Sequence, residues 1–374
     1  MNTAFLKKIL FILLFAVIFI NLAFRITTYS KEYTTRFDSA YWKQRYLASQ
    51  WVVSGSKNSI GDDGLYAYAG WEYIHGSDPT LLNAEIPPLA KYMIGLGEVI
   101  FQNQDILILL VGILGLFVFY KINTILFKNK VLAIIPVTIF SLEPIFFTQL
   151  RAPYLDGIYL LFLMLTILFT LKKKYILSAL FLGCFASVKY PVGSLFLLFP
   201  MVFWVYLYDK KNLKQFLVSL VIFPLVFLAS YSMYFVKGGN ILGFLGVQKW
   251  IIHFYSTGAK AGVGIVFPLI LFGKWFTWFN GLQNVSEWNV LWAVSLIGVV
   301  FSFFALLFSY FTLKNKKKKN TLNQPMIFMF FWVVSYLFFL TFTPVFPRYL
   351  LLLVPFMYNL TVWFLEKYLF PQFS

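Results

Sequence analysis

Two adjacent carboxylates, Asp62 and Asp63, lie between glycines in Gly61-Asp62-Asp63-Gly64 and lead at once into Leu65-Tyr66-Ala67-Tyr68-Ala69. Acids before a glycine often form nothing more than a solvated turn. The aromatic, apolar run behind them places this pair at a helix start near a membrane surface. The helix dipole favours negative charge there, and a carboxylate so placed can take a proton from a hydroxyl. Downstream, Asn83-Ala84-Glu85-Ile86-Pro87-Pro88-Leu89-Ala90-Lys91-Tyr92 adds an acid and a cation around a double proline that opens a helix. The plain reading of Lys91 is a snorkelling interfacial lysine, and of Glu85 and Lys91 together a surface pair of little energetic value.

Further along, Glu143 in Leu142-Glu143-Pro144 interrupts an apolar run, and Arg151 and Asp156 bracket the turn that follows it. Charges at membrane depth are costly and usually face a polar cavity; an Arg151/Asp156 structural pair is the simpler alternative. Lys189 in Lys189-Tyr190-Pro191-Val192-Gly193 and Arg348 in Phe346-Pro347-Arg348-Tyr349-Leu350 each sit beside a proline break. Singly, each reads as a helix-end anchor. Together, Arg151, Lys189 and Arg348 place three cations at one membrane level on the side that holds the acid pair, a set suited to an anionic headgroup whose tail lies in the bilayer. His253, near Gln248 and Trp250, is either structural or an acceptor or donor contact. Asn284-Val285-Ser286 matches a glycosylation sequon, a short pattern with a high chance rate.

These residues need elements to hold them, and the composition says which. Of 374 residues, 60% are apolar, 21% aromatic and 12% charged, against roughly 45–50% apolar and 25% charged in soluble domains. A water-soluble enzyme is excluded. One cysteine, Cys184, and two histidines, His75 and His253, exclude a disulfide framework, a zinc-finger site and any His/Cys metal cluster. Runs of roughly 20 apolar residues mark membrane-crossing helices. Ten occur, near 8–25, 105–120, 131–149, 155–171, 175–190, 192–208, 215–236, 289–313, 325–343 and 349–366. The first has a basic flank like a signal peptide but no small-x-small cleavage site, and is expected to be an uncleaved anchor. The chain is therefore expected to be an all-α polytopic membrane protein with no appended soluble domain, a single unit over residues 1–374.

Lysine placement orients it. With Lys7 and Lys8 inside and alternating sides, 17 basic and two acidic residues fall inside, and 14 basic and 12 acidic outside. All five arginines are outside, and topology alone asks nothing of them; arginine is the better fork for phosphate and carboxylate. A helix crossing at 262–281 would throw the lysines of 314–319 outside. That stretch is expected to be interfacial or re-entrant instead, with Trp275 and Trp278 at headgroup level. The outer segments, near 26–104 and 237–288, are where chemistry is expected.

The order of these motifs resembles the protein O-mannosyltransferase group, glycosyltransferase family 39 of the GT-C superfamily of multispan, lipid-donor enzymes. The match runs from about 55 to 200 and returns at 345–356: the acid pair, then Asn-x-Glu-x-Pro-Pro-Leu-Ala-Lys-Tyr, Leu-acid-Pro, Arg with Leu-Asp, Lys-Tyr-x-x-Gly and Pro-Arg-Tyr. The resemblance implies a catalytic base at Asp62, with Asp63 beside it. The family usually has His before Pro-Pro-Leu, where this chain has Ile86.

The expected function is transfer of mannose or a similar hexose from a polyprenyl-phosphate donor to a hydroxyl of a protein, glycan or lipid at the outer face of the plasma membrane, with inversion. Arg151, Lys189 and Arg348 would meet the donor phosphate. Glu85, Lys91, Asp156, Glu143 and His253 would support the site or the acceptor. The sequence has no Gly-rich phosphate loop and no nucleic-acid-binding pattern, and it indicates no cofactor or metal ligand set; carboxylates exist for a divalent ion, but the best-known branch of the family is regarded as metal-independent. The expected partners are the lipid-linked donor, the acceptor and membrane lipids. A transporter or flippase for an anionic lipid or solute would also place charges in the membrane. It would further show inverted halves with matching broken helices, which the sequence lacks. A membrane acyltransferase or intramembrane protease usually needs a histidine, or a Ser/His pair, at membrane depth, and both histidines fall in outer segments.

Overall fold

A bilayer offers no water to satisfy backbone amides, so apolar runs of this kind must close their hydrogen bonds internally as helices. The computed structural model bears this out over the residues it describes: 3–189, 191–258, 262–277, 281–315 and 323–369. Tyr190, Lys260, Trp278 and the lysines at 316–319 lie outside them. The described residues are mostly helical, and the chain is a multi-pass membrane protein. Among the described residues, five helices are long and apolar enough to cross a membrane unaided: Phe5–Thr28, Ile106–Leu126, Lys210–Ser230, Val290–Ser309 and Gln324–Thr341. Shorter apolar helices, Lys130–Ser141, Asp156–Leu171, Tyr175–Val188 and Val192–Tyr208, pack among them.

Prolines shorten or break three of the ten expected runs. The residue before a proline is pushed to extended backbone, and Glu143 (ψ 126°) accordingly separates Lys130–Ser141 from Pro144–Thr148. Pro224 has no N–H to give, and the seventh run, although Lys210–Ser230 keeps one course, turns at 220–221 between Leu213–Ser219 and Ile222–Ser230 and again before Ser232–Val236. The tenth begins as a 3-10 turn, Pro347–Leu352, before Val354–Tyr368. Segment 262–281 holds no long helix among its described residues. It forms the seven-residue helix Val266–Phe272 and a hairpin pairing Lys274–Thr277 with Gly281–Asn284. Trp275 is half-buried: its indole N–H donates to the Val345 carbonyl (2.8 Å) and its ring lies against Phe346.

Chain ends alternate between two faces. On one, Lys173 pairs with Asp209 at 3.1 Å, and Tyr175 and Asn212 donate to the same carboxylate. On the other, the start of Asp156–Leu171, the end of Tyr175–Val188 and the start of Pro347–Leu352 meet. The first outer segment lays two helices over this second face, Asp62–Ile74 and Leu89–Phe101, which cross where Gly70 meets Gly95. A Cβ on Gly95 would fall 2.1 Å from the Gly70 carbonyl oxygen, a backbone atom that cannot swing aside. Gly95→Ala is expected to lower stability by about 1–3 kcal/mol, the usual cost of overpacking, seen as a lower melting midpoint in detergent. An unchanged midpoint would mean the two helices do not touch here.

Candidate functional site

The helix Asp62–Ile74 begins at Gly61, so Asp62 and Asp63 occupy its first turn. The Trp42 ring covers Gly64, where a Cβ would come within 2.2 Å of it, and this fixes the helix start against the helix Ser39–Leu47. From that position Asp62 Oδ2 meets Arg348 Nη2 at 2.8 Å, with the Asp62 side chain 41% and the Arg348 side chain 21% exposed. Arg348 Nε lies 3.8 Å from Asp156 Oδ2, and Asp156 Oδ1 accepts from Lys189 Nζ at 2.6 Å. Asp62, Arg348, Asp156 and Lys189 therefore form one alternating chain of charges, leading from a partly exposed carboxylate inward to a carboxylate only 1% exposed. The inner pair is the sturdy part: removing one partner of a buried ion pair typically costs about 3–5 kcal/mol. The outer pair is partly wet and contributes little to stability.

Tyrosines ring this chain, and sequence reasoning did not single them out as site residues. Tyr66 sits one turn after Asp62, and burial raises its hydroxyl well above the ordinary value, with Asp62 adding to the rise and Arg348 opposing it. Tyr255, on the helix Ile241–Gly258, is raised by burial and then by Tyr349, Glu85 and Asp62. The Tyr349 ring lies under Lys189, 5.1 Å from its ammonium. Phenols held neutral in this way can donate hydrogen bonds to an anion. The i, i+4 spacing of Asp62 and Tyr66 was a signal for one of them; nothing local marks Tyr255.

Other expected residues take different places. Lys91 does not snorkel: it is fully buried, and its ammonium donates to the Asn83 carbonyl (2.7 Å), Asn83 Oδ1 (3.0 Å) and the Ile86 carbonyl (2.8 Å). Asn83 in turn donates to Glu85, which is also buried. Burial pulls Lys91 below the ordinary lysine range and Glu85 opposes it, while burial raises Glu85 and Lys91 opposes that. This is an internal brace for the loop before the double proline. Glu143 is caged by Tyr358, Trp292 (3.0 Å) and Asn289 (3.2 Å), tying two late helices to the early ones. Arg151 does not pair with Asp156; it is exposed, with its guanidinium over the Tyr29 ring at 5.4 Å. His253 is exposed too, and its imidazole makes no hydrogen bond among the described residues. Among those residues no three His, Cys, Asp or Glu side chains converge as metal ligands.

Glu98 is buried at 2% exposure with both oxygens unpartnered. Burial, and then Asp105, push its carboxyl up to about 9. A raised acid favours the folded state fully below its unfolded value, and that contribution is lost as pH climbs through the folded one. Beside Asp105, which burial pushes up to about 8 and which adds its own slope, Glu98 is thus expected to lower wild-type stability by about 1.4 kcal/mol per pH unit between the ordinary glutamate range and pH 9. Glu98→Gln should flatten that slope in melting curves taken from pH 5 to 9; parallel curves for the two proteins would refute it.

Arg348 also forms the edge of a cavity of about 290 Å³, lined by Gln149, Tyr154, Trp275, Gln283, Glu287 and Phe346 among others. Its walls come from the 149–154 turn, the hairpin segment and the turn before Pro347–Leu352.

No family model and no curated protein matches the chain. Solved structures do. ArnT from Cupriavidus metallidurans in the apo state superposes with a TM-score of 0.57 at 13% identity, over 82% of this chain and 55% of that one. The same protein bound to undecaprenyl phosphate gives 0.60 at 15%, over 82% and 56%. The architecture is thus of the GT-C type, and this chain spans about half the length of those structures.

Proposed function

We propose that the protein transfers a sugar, mannose or a similar hexose, from a polyprenyl-phosphate donor to an acceptor hydroxyl on the outer face of the membrane. One observation carries this reading: the charge chain of Asp62, Arg348, Asp156 and Lys189 sets a partly exposed carboxylate directly beside one cation, Arg348, with a second, Lys189, behind it across Asp156. A base and a phosphate-binding fork are thus neighbours, as a displacement at the carbon between hydroxyl and phosphate requires. The likeness to ArnT, whose structure holds undecaprenyl phosphate, supports a lipid-linked donor.

In the resting arrangement Asp62 and Arg348 occupy each other. A donor phosphate competes for the guanidinium, and because the outer pair is partly wet, drawing Arg348 away costs little. The carboxylate is then free to take the proton of the acceptor hydroxyl. The hydroxyl oxygen attacks the anomeric carbon, the bond from that carbon to the phosphate oxygen breaks, and polyprenyl phosphate leaves with the electron pair, inverting the centre. Charge grows on the leaving oxygen, and Arg348 and Lys189 face it. Asp156 holds Lys189 and faces Arg348 from behind; Tyr66 and Tyr255 stay protonated as donors. Arg151 acts only at the rim, and Asp63 supports the helix start. Glu85, Lys91 and Glu143 hold the frame; His253 touches none of this chain.

The direct test offers purified protein a labelled polyprenyl-phosphate hexose with candidate peptide, glycan and lipid acceptors. Release of polyprenyl phosphate with sugar on an acceptor is expected. If the protein in vesicles carries the lipid-linked sugar across but never splits it, the transporter reading takes its place.

A further inference from the structure

The cavity beside Arg348 has a lining that the charge chain does not use. Gln149 is 5% exposed, and its carboxamide oxygen has no hydrogen-bond partner among the described residues. It borders this cavity; the oxygen itself is closed off from solvent, so a ligand reaches it once the side chain turns. Buried polar groups are rarely left so. Gln283 and Asn284 face the same space from the hairpin. Asn284 Oδ1 already accepts from Lys274 at 2.6 Å, so its Nδ2 remains to donate. The indole N–H of Trp275 is taken by Val345, which leaves the Trp275 ring to the cavity; it lies 5.5 Å from that of Phe346, which also carries the Arg348 guanidinium at 5.0 Å.

Carboxamides both donate and accept, as the hydroxyls of a sugar do, and aromatic rings cover the apolar C–H face of a pyranose. An anion would ask for more positive charge than Arg348 alone, and Glu287 opposes it across the same cavity. The volume, about 290 Å³, is at the small end of ligand sites, roughly 300–1,000 Å³, and suits one ring rather than a chain. We propose that this cavity, built on Gln149, Gln283, Asn284, Trp275 and Phe346, seats an uncharged sugar ring next to Arg348. The proposal rests on the transferase reading insofar as transfer brings two such rings, the donor's and a glycan acceptor's, to this end of the molecule.

The test uses the full chain in detergent or nanodiscs with methyl hexopyranosides (mannoside, glucoside and galactoside) as probes, read by saturation-transfer NMR. Wild type should bind at least one of them. Gln149→Leu and Gln283→Ala should each weaken binding by about tenfold, the loss of a hydrogen-bonded pair. Gln283 is exposed, so its variant does not endanger the fold, and melting midpoints check both proteins. Adding polyprenyl-phosphate hexose separates the sources: displacement of the probe assigns the cavity to the donor's sugar, and simultaneous binding assigns it to the acceptor's. No binding of any probe, or equal binding by wild type and both variants, overturns the proposal. Polyprenyl phosphate release, followed separately, reports on the transferase reading: sugar binding without release sinks that reading alone, and release without sugar binding sinks this one alone.

Discussion

Asp62→Asn is expected to cut sugar transfer by about 10²–10⁴-fold, the usual worth of a well-placed base, in a protein that stays folded. The fold should survive because the carboxamide keeps the size of the side chain and can still accept from Arg348. The ion pair it replaces is partly exposed, with Asp62 41% open to solvent, and such pairs contribute little to stability. Asp63→Asn should be much milder, since Asp63 makes no ion pair among the described residues. The measurement is single-turnover transfer alongside a melting curve. Near-normal turnover by Asp62→Asn would remove Asp62 from the base position whatever its neighbours are.

Arg348→Ala is expected to depress kcat by about 10²–10³-fold, as loss of one preorganised donor at a developing charge does, and to weaken donor binding by much less. The donor diester carries about one negative charge and the departing monoester approaches two at neutral pH. An interaction that grows along that path favours the transition state over the bound donor. Arg348→Lys should rescue only partly, because an ammonium cannot reproduce the fork that meets Asp62 through Nη2 while facing Asp156 through Nε. Released polyprenyl phosphate, measured beside donor affinity, decides it. A transporter would lose affinity and flux together and make no product in any variant.

How far the sequence could be read differs sharply between elements and partners. An all-α membrane fold was legible, because composition alone forces helices in a membrane; its GT-C type was what the resemblance implied. The resemblance to the O-mannosyltransferase group implied a fold of the same type, and the structural likeness to ArnT shows that fold without reaching to the branch. Lysine counting predicts that 262–281 does not cross, and the segment forms a short helix and a strand pair in place of a long helix. Run boundaries were less so: apolar content does not report where Pro144 or Pro224 opens a helix, since the proline acts on backbone geometry and not on hydropathy.

What the sequence by itself determined was therefore the inventory: which segments are helices, that acids and arginines gather at one face, and that Asp62, Asp156, Lys189 and Arg348 stand at helix ends there. Only the tertiary structure decided who meets whom. Lys189, not Arg151, takes Asp156; Lys91 is withdrawn into the Asn83 loop; Glu143 is enclosed by Tyr358 and Trp292 from helices far along the chain; and Tyr255 arrives from a segment with no motif at all. Periodicity along one helix specifies the face it presents, because side-chain direction follows from 3.6 residues per turn. It does not specify the neighbour across that face, which depends on how ridges, glycine contacts and proline breaks of several helices settle together. A buried charge is held by whichever opposite group that packing brings within a few ångströms, at any separation in sequence.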